Sequence, residues 1–184
     1  FQKPLPFLYD RQFHKKIFRQ MSLESGLTQR DIFNNYLTGF FNSYLDCQFL
    51  YGRDKKYSTV YWPNFNIFSE NVERFFTIYP DGIIVHIVRN PLSWAGSAKK
   101  RQPHKFNKSY MDSLWLRSTQ NAISFRKAFP KSFIIIDFDE LVSNTKSTMK
   151  NLCACIGLDY NSSMELPTFN SMPFPANSSH KELQ

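Results

Sequence analysis

The chain has 184 residues, 42% of them hydrophobic and 17% aromatic, enough apolar material for one buried core and too much for a disordered segment. A formal net charge of +8 asks for an anionic partner. No apolar run approaches the length of a membrane-spanning helix, no leader of the secretory type is visible, and the three cysteines, Cys47, Cys153 and Cys155, lack metal-ligand spacing.

In chain order, the first 26 residues mix prolines, aromatics and basic residues, with a short helix expected around Arg11 to Met21. Thr28 stands three residues before Asp31 at capping-box spacing, with Asp in place of the usual Glu or Gln, and opens an amphipathic helix expected to run to about Leu50. Ile32, Tyr36, Phe40, Tyr44 and Cys47 form its expected inner stripe, read as core. Gly52 to Lys56 reads as a basic turn, and Tyr57 to Trp62 as a short strand stopped by Pro63. Ser69 is the expected cap of a helix from Glu70 to about Ile78, and Pro80-Asp81-Gly82 turns the chain into a strand.

That strand carries the most information. From Ile83 to Val88 every residue but His86 is aliphatic, the pattern of a strand covered on both faces. It runs directly into Arg89-Asn90-Pro91, where Asn90 suits an N-cap and Pro91 a first helical position. A helix starting at the carboxyl end of a central strand is where open α/β sheets bind ligands, and Arg89 adds a permanently charged fork suited to phosphate. Ser93 and Ser97, four apart, share one face of that helix, while Leu92, Ala95, Gly96 and Lys99 form the stripe expected to pack on the sheet. Lys99-Lys100-Arg101, with His104, Lys105 and Lys108, is the densest basic cluster, read equally as the rim of an anion site or as a solvated helix end.

Downstream, Tyr110 to Phe129 shows helical spacing through Leu114, Arg117, Asn121 and Phe125. Phe133 to Ile136 reads as a second strand, Ser143 to Ile156 as a helix ended by Gly157, and the chain beyond Tyr160 as an irregular tail. Strands alternating with helices imply an α/β fold with a parallel sheet, of which at most three strands are visible. Cys153 and Cys155, two apart on a helix, point in different directions, so reduced thiols and a cytoplasmic setting are expected. Three Asn-X-Ser triplets, at Asn107, Asn161 and Asn177, carry little weight.

Strand, Arg89-Asn90-Pro91, helix and Ser97 together resemble the sulfotransferases that use 3′-phosphoadenosine 5′-phosphosulfate (PAPS). A second similarity is Phe133 to Val142, a strand ending in an aromatic residue, two acids, Leu and Val, followed by a helix closing in Cys155-Ile156-Gly157-Leu158. Trp115 resembles a tryptophan frequent on the intervening helix, and Pro167-Thr168-Phe169-Asn170 with Asn177-Ser178-Ser179 resembles the tail of carbohydrate-type and bacterial members.

The resemblance implies a sheet like that of P-loop NTPases, flanked by helices in one domain over residues 1–184, and PAPS as co-substrate without a metal. It implies that Arg89 and Ser97, with Ser93 beside them, contact the 3′-phosphate, and that the acceptor is a small molecule or a glycan rather than a nucleic acid. The tail, with Lys181, is expected either to fold over the nucleotide or to be a solvated terminus.

Two departures qualify this picture. The six glycines, at 26, 39, 52, 82, 96 and 157, are scattered, so no segment reads as a strand followed by a glycine-rich phosphate loop; the domain is expected to be incomplete at its amino end, or else to have lost the loop. Tyr61 stands where many members carry a Lys or His two residues before a proline. The catalytic base is left unassigned, with His14, His86 and His104 in the pool, His86 read chiefly as structural, and Asp10 beside Arg11 only distantly similar to an acid near the family's loop. A P-loop kinase or NTPase relative and a non-catalytic basic anion-binding module remain the rival readings.

Overall fold

The computed structural model describes residues 9–44, 57–101, 103–169 and 172–173. Chain contacts divide the protein into two units, 1–62 and 63–184.

The described part of the first unit is built on a helical pair. Helix α1 (Arg11–Glu24) starts where the Asp10 carboxylate accepts from the amides of Gln12 and Phe13. Helix α2 (Gln29–Asn42) opens with the expected capping box: Thr28 Oγ1 accepts from the Asp31 amide, and the Asp31 carboxylate accepts from the Thr28 amide. Two orphan amides are satisfied at each start.

The seam between these helices differs from the expected stripe. Its buried positions are Asn35, Gly39 and Ser43, while Tyr36, Phe40 and Tyr44 flank them and Ile32 is exposed. Cys47 lies outside the described residues. The reason is His14, buried on α1, whose ring occupies the space opposite Gly39. Its Nε2–H donates to the Tyr36 carbonyl at 3.1 Å, leaving Nδ1 to accept from the Tyr9 hydroxyl at 2.5 Å. A β-carbon on Gly39 would stand 2.7 Å from His14 Cδ2 and 3.2 Å from the His14 carbonyl oxygen. Small residues permit the close approach, and the aromatic rings of Tyr9, Tyr36 and Phe40 close around His14 at centroid distances of 4.8 to 6.1 Å.

Residues 57–62 form no strand, contrary to the expectation from their β-branched and aromatic content. Val60, Tyr61 and Trp62 are exposed, Tyr61 by 90%, so their side chains lack the packing that stabilises such residues in a sheet.

The second unit begins with a 3₁₀ turn, Phe65–Ile67, followed by helix α3 (Ser69–Ile78). Phe68, not Ser69, occupies the cap position, and no side chain caps this helix. Strand β1 (Ile84–Val88) leads into helix α4 (Pro91–Arg101); helix α5 (Lys108–Ala128) then returns the chain to strand β2 (Phe133–Asp137). The two strands pair in parallel, Ile84 beside Phe133 through Val88 beside Asp137, with the helical crossover such a pairing needs. A six-residue helix α6 (Phe138–Ser143), helix α7 (Thr145–Ile156) and a small antiparallel pair, β3 (Thr168–Phe169) and β4 (Met172–Pro173), complete the described chain. Gly157 ends α7 in the left-handed conformation at φ 67°, and the Leu158 amide donates back to the Cys153 carbonyl.

One face of the β1–β2 pair carries the core. Phe133 is fully buried against Val72 and Phe76 of α3 and Ala122 and Phe125 of α5, with Ile84 and Ile135 joining from the sheet. Each such large apolar side chain removed from water contributes about 1.5–3 kcal/mol. Behind this core, Asn66 locks the 3₁₀ turn to α5: its Nδ2 donates to the Ser118 carbonyl, its Oδ1 accepts from Ser118 Oγ, and Asn121 Nδ2 donates to the Asn66 carbonyl. Buried amides so satisfied specify one docking of turn on helix.

The other face corrects the expectation that β1 is covered on both sides. Val85 and Ile87 are 40% and 51% exposed, whereas their partners Ile134 and Ile136 on β2 are buried. Apolar content along a strand does not reveal whether a neighbour covers it.

Two measurements check this packing. Gly39→Ala should lower the stability of the first unit by about 1–3 kcal/mol, the usual cost of overpacking, because the doubly held His14 ring has nowhere to move; urea unfolding followed by tyrosine fluorescence reads it. His86, on the core face of β1, has its pKa lowered by burial. The folded state therefore resists a proton that the unfolded chain accepts, so its stabilising effect is complete above the ordinary imidazole value of about 6.5 and is lost as pH falls below it toward the lowered folded value. Urea midpoints from pH 7.5 to 5.5 should fall less steeply in His86→Gln than in the parent protein.

Candidate functional site

The second unit sets two strand-to-helix junctions side by side. Because β1 and β2 are parallel and in register, Val88 and Asp137 end their strands together, and α4 and α6 start from the same edge. This is the carboxyl edge, where ligands of open α/β sheets bind.

The two starts differ in charge. At the first, Asn90 Oδ1 accepts from the Leu92 amide at 2.9 Å and the Ser93 amide at 3.4 Å, and Pro91 takes the first helical position, as the sequence reading expects. At the second, the Asp137 carboxylate accepts from the Asp139 and Glu140 amides at 2.8 and 3.0 Å. The α6 terminus is thus already answered by a carboxylate, with Asp139 and Glu140 adding further negative charge in its first turn. The α4 terminus has a neutral cap and no acid in its first turn, so its positive end stays available to an anion.

Arg89 sits between them, half-buried, directly after β1. Its guanidinium carbon lies 4.6 Å from the centre of the Phe138 ring, and its carbonyl oxygen accepts from the indole N–H of Trp115 at 2.8 Å. The cation therefore lies over the π face of the ring, held there by a cation–π contact.

Both serines lie on α4, Ser93 exposed in the first turn and Ser97 half-buried in the second. The helix is rotated from the expected orientation: Trp94, Ala95, Ser97 and Ala98 form its partly buried side, whereas Leu92 is 78% exposed and Gly96 has open space where a β-carbon would project. Ser97 thus belongs to the same i, i+3, i+4 stripe as Trp94 and Ala98, and packing limits its rotamers more than those of Ser93.

The remaining sequence candidates disperse. Asp10 is a helix cap in the first unit, and His14 is a core histidine with both ring nitrogens engaged. His104 is exposed on a 3₁₀ turn after α4, and Lys99 and Lys100 are exposed at the end of that helix. Lys108 pairs with Asp112 at 2.5 Å across one turn of α5, an exposed pair worth little to stability. Asn107 caps α5 by accepting from the Tyr110 amide, and Asn161 accepts from the Ser163 amide, so both triplet asparagines have local structural work. Residues 174–184, with Asn177, Ser178, Ser179 and Lys181, lie outside the described residues.

The sequence reading missed α6 and the pairing of Arg89 with Phe138. An open cleft of about 610 Å³ lies where α6 turns into α7, lined by Asn144, Thr145, Ser147, Lys150 and Glu165; Arg89, Ser93 and Ser97 take no part in it. Beside it, the Tyr160 hydroxyl donates to the Glu165 carboxylate, which pushes the phenol up to about 12, and Lys150 lies 5.3 Å from the centre of the same ring. These contacts fasten the start of the tail to α7. Among the described residues no group of His, Cys, Asp and Glu could hold a metal ion, and no helix is long and apolar enough to cross a membrane.

No curated protein and no solved structure matches the chain. A family model described as "Sulfotransferase family" matches residues 7–162, a span that takes in both units, both strands, the Arg89 junction and the start of the tail. On that match the chain belongs to the sulfotransferase family.

Proposed function

We propose that this protein transfers the sulfuryl group of PAPS to a hydroxyl or amine, on a small molecule or, given the likeness of its tail to carbohydrate-type members, a glycan. The observation that carries this reading is the β1–α4 junction: an arginine at a strand end beside a helix start with a neutral cap, in a chain of the sulfotransferase family. Residues 1–184 are read as one sulfotransferase-like domain, with the β1–β2 pair as part of a P-loop-NTPase-like sheet; the family match running across both units supports this.

The transfer itself forms a bond from the acceptor oxygen or nitrogen to sulfur, breaks the bond from sulfur to the 5′-phosphate oxygen, which keeps the electron pair, and releases the acceptor's proton, leaving adenosine 3′,5′-bisphosphate. What it asks of a protein is alignment and charge stabilisation. Arg89 supplies a charge-assisted, two-pronged grip on the 3′-phosphate, Ser97 donates from the second turn of α4, and Ser93 stands one turn nearer the junction. These residues fix the donor and move no proton. His14 is no base for the acceptor, because its Nδ1 lone pair accepts from Tyr9 and its Nε2 proton goes to a backbone carbonyl.

The 3′-phosphate is what separates PAPS from ordinary adenine nucleotides, so this grip would give selectivity against ATP. A base-reading nucleic-acid interface fits less well, because the strongest phosphate candidate is a single junction rather than a basic face. The free thiols of Cys153, buried, and Cys155, exposed, fit a reducing, cytoplasmic setting.

Two binding experiments test the reading. Arg89→Ala should weaken adenosine 3′,5′-bisphosphate by about 1.5–3 kcal/mol in calorimetric titration while leaving adenosine 5′-monophosphate unchanged; Ser97→Ala should do the same on a smaller scale, about 0.5–1.5 kcal/mol. Equal affinity of the parent protein for the two nucleotides would rule out a 3′-phosphate site. Asn90→Asp keeps the cap, since Asp and Asn are nearly equivalent there, but adds a negative charge beside the anion. Its thermal midpoint should stay near that of the parent, and its bisphosphate affinity should fall.

A further inference from the structure

We infer that Phe138 and Trp115 are the positioning residues of the Arg89 site, Phe138 holding the guanidinium and Trp115 the backbone it springs from. The inference rests on the reading of Arg89 as the 3′-phosphate ligand and extends it to two side chains that would not touch the nucleotide.

The geometry is specific to this junction. An arginine side chain has four rotatable bonds, and its grip on a phosphate costs less free energy if those bonds are already ordered. The guanidinium carbon lies over the Phe138 ring, 4.6 Å from its centroid, and this cation–π contact favours the position the side chain already occupies. Phe138 is itself held, because it is the first residue of α6 and the Asp137 cap fixes the direction in which that helix leaves β2. Parallel register supplies the rest: Val88 pairs with Asp137, so the residues that follow them, Arg89 and Phe138, are neighbours by construction.

Trp115 acts on the other end of the side chain. Its indole N–H donates at 2.8 Å to the Arg89 carbonyl, an oxygen at the turn between strand β1 and helix α4. This bond joins α5 to the junction across 26 residues of sequence and fixes the peptide plane from which α4 departs. A phenylalanine at 115 would fill most of the same space and lack the donor.

A purely structural role would lower stability and weaken all nucleotides alike. A positioning role lowers the preference for the 3′-phosphate. The readout is therefore the ratio of dissociation constants for adenosine 5′-monophosphate and adenosine 3′,5′-bisphosphate, measured on the full chain with thermal midpoints alongside. Phe138→Leu, which removes the ring and keeps an apolar side chain, should cut that ratio by about threefold to tenfold, the scale of a partly desolvated cation–π contact, and Phe138→Tyr should restore it. Trp115→Phe should cut it by a similar factor. Arg89→Ala is the control that separates the two claims. If it abolishes the ratio while Phe138→Leu and Trp115→Phe leave it at the parent value, or lower both affinities equally, the positioning inference is overturned and the Arg89 site stands. If Arg89→Ala leaves the ratio unchanged, the site reading itself fails and this inference falls with it.

Discussion

The parallel, in-register pairing of β1 with β2 is the constraint from which the rest of the second unit follows. It places Phe133 and Ile84 on one face, where α3 and α5 close over them. It also brings the ends of both strands to one edge, so that Arg89 and Phe138, 49 positions apart in the chain, become neighbours. A slip of one residue would turn Phe133 out of the core and separate the cation from its ring. Core and site are thus specified by the same hydrogen-bond ladder.

The two helix starts at that edge show how one backbone arrangement can be given opposite electrostatic meanings. Asn90 and Asp137 make the same kind of cap, each accepting from two amides of the first turn. One does so without charge and the other with a full negative charge. With Asp139 and Glu140 behind it, the α6 terminus repels an anion, while α4, with Arg89 before it and a neutral cap, attracts one. Arg89 alone would attract carboxylates and phosphates indiscriminately; its position between these two termini gives the attraction a direction.

Much of this was legible in the sequence because its determinants are local. Asn90-Pro91 after an aliphatic run announces a strand, a cap and a helix start within a few residues, and Thr28 with Asp31 does the same for α2. Helix α6 was hidden because Asp137 follows three isoleucines and reads as the end of a strand, although Asp137 with Glu140 three residues later is the spacing of a capping box. The stacking of Arg89 on Phe138 and the bond from Trp115 are not legible from a single chain, since both depend on strand register and on the rotation of α5. The inward side of α4 was misread for a related reason: with Leu92, Trp94, Ala95, Gly96 and Ala98 all small or apolar, several rotations bury similar area, and tertiary packing selects the one that turns Trp94 and Ala98 inward. Exposure of Val85 and Ile87 lies beyond composition altogether, because a strand's apolar content states a preference and not the presence of a neighbour.

The central claim is that the β1–α4 junction is an anion site that recognises a 3′-phosphate. A crystal structure of the protein with adenosine 3′,5′-bisphosphate tests it most directly. The account predicts the 3′-phosphate oxygens within about 3 Å of the Arg89 guanidinium and of Ser97 Oγ, with the guanidinium still stacked on Phe138. A bisphosphate seated with its 3′-phosphate away from Arg89 would contradict it.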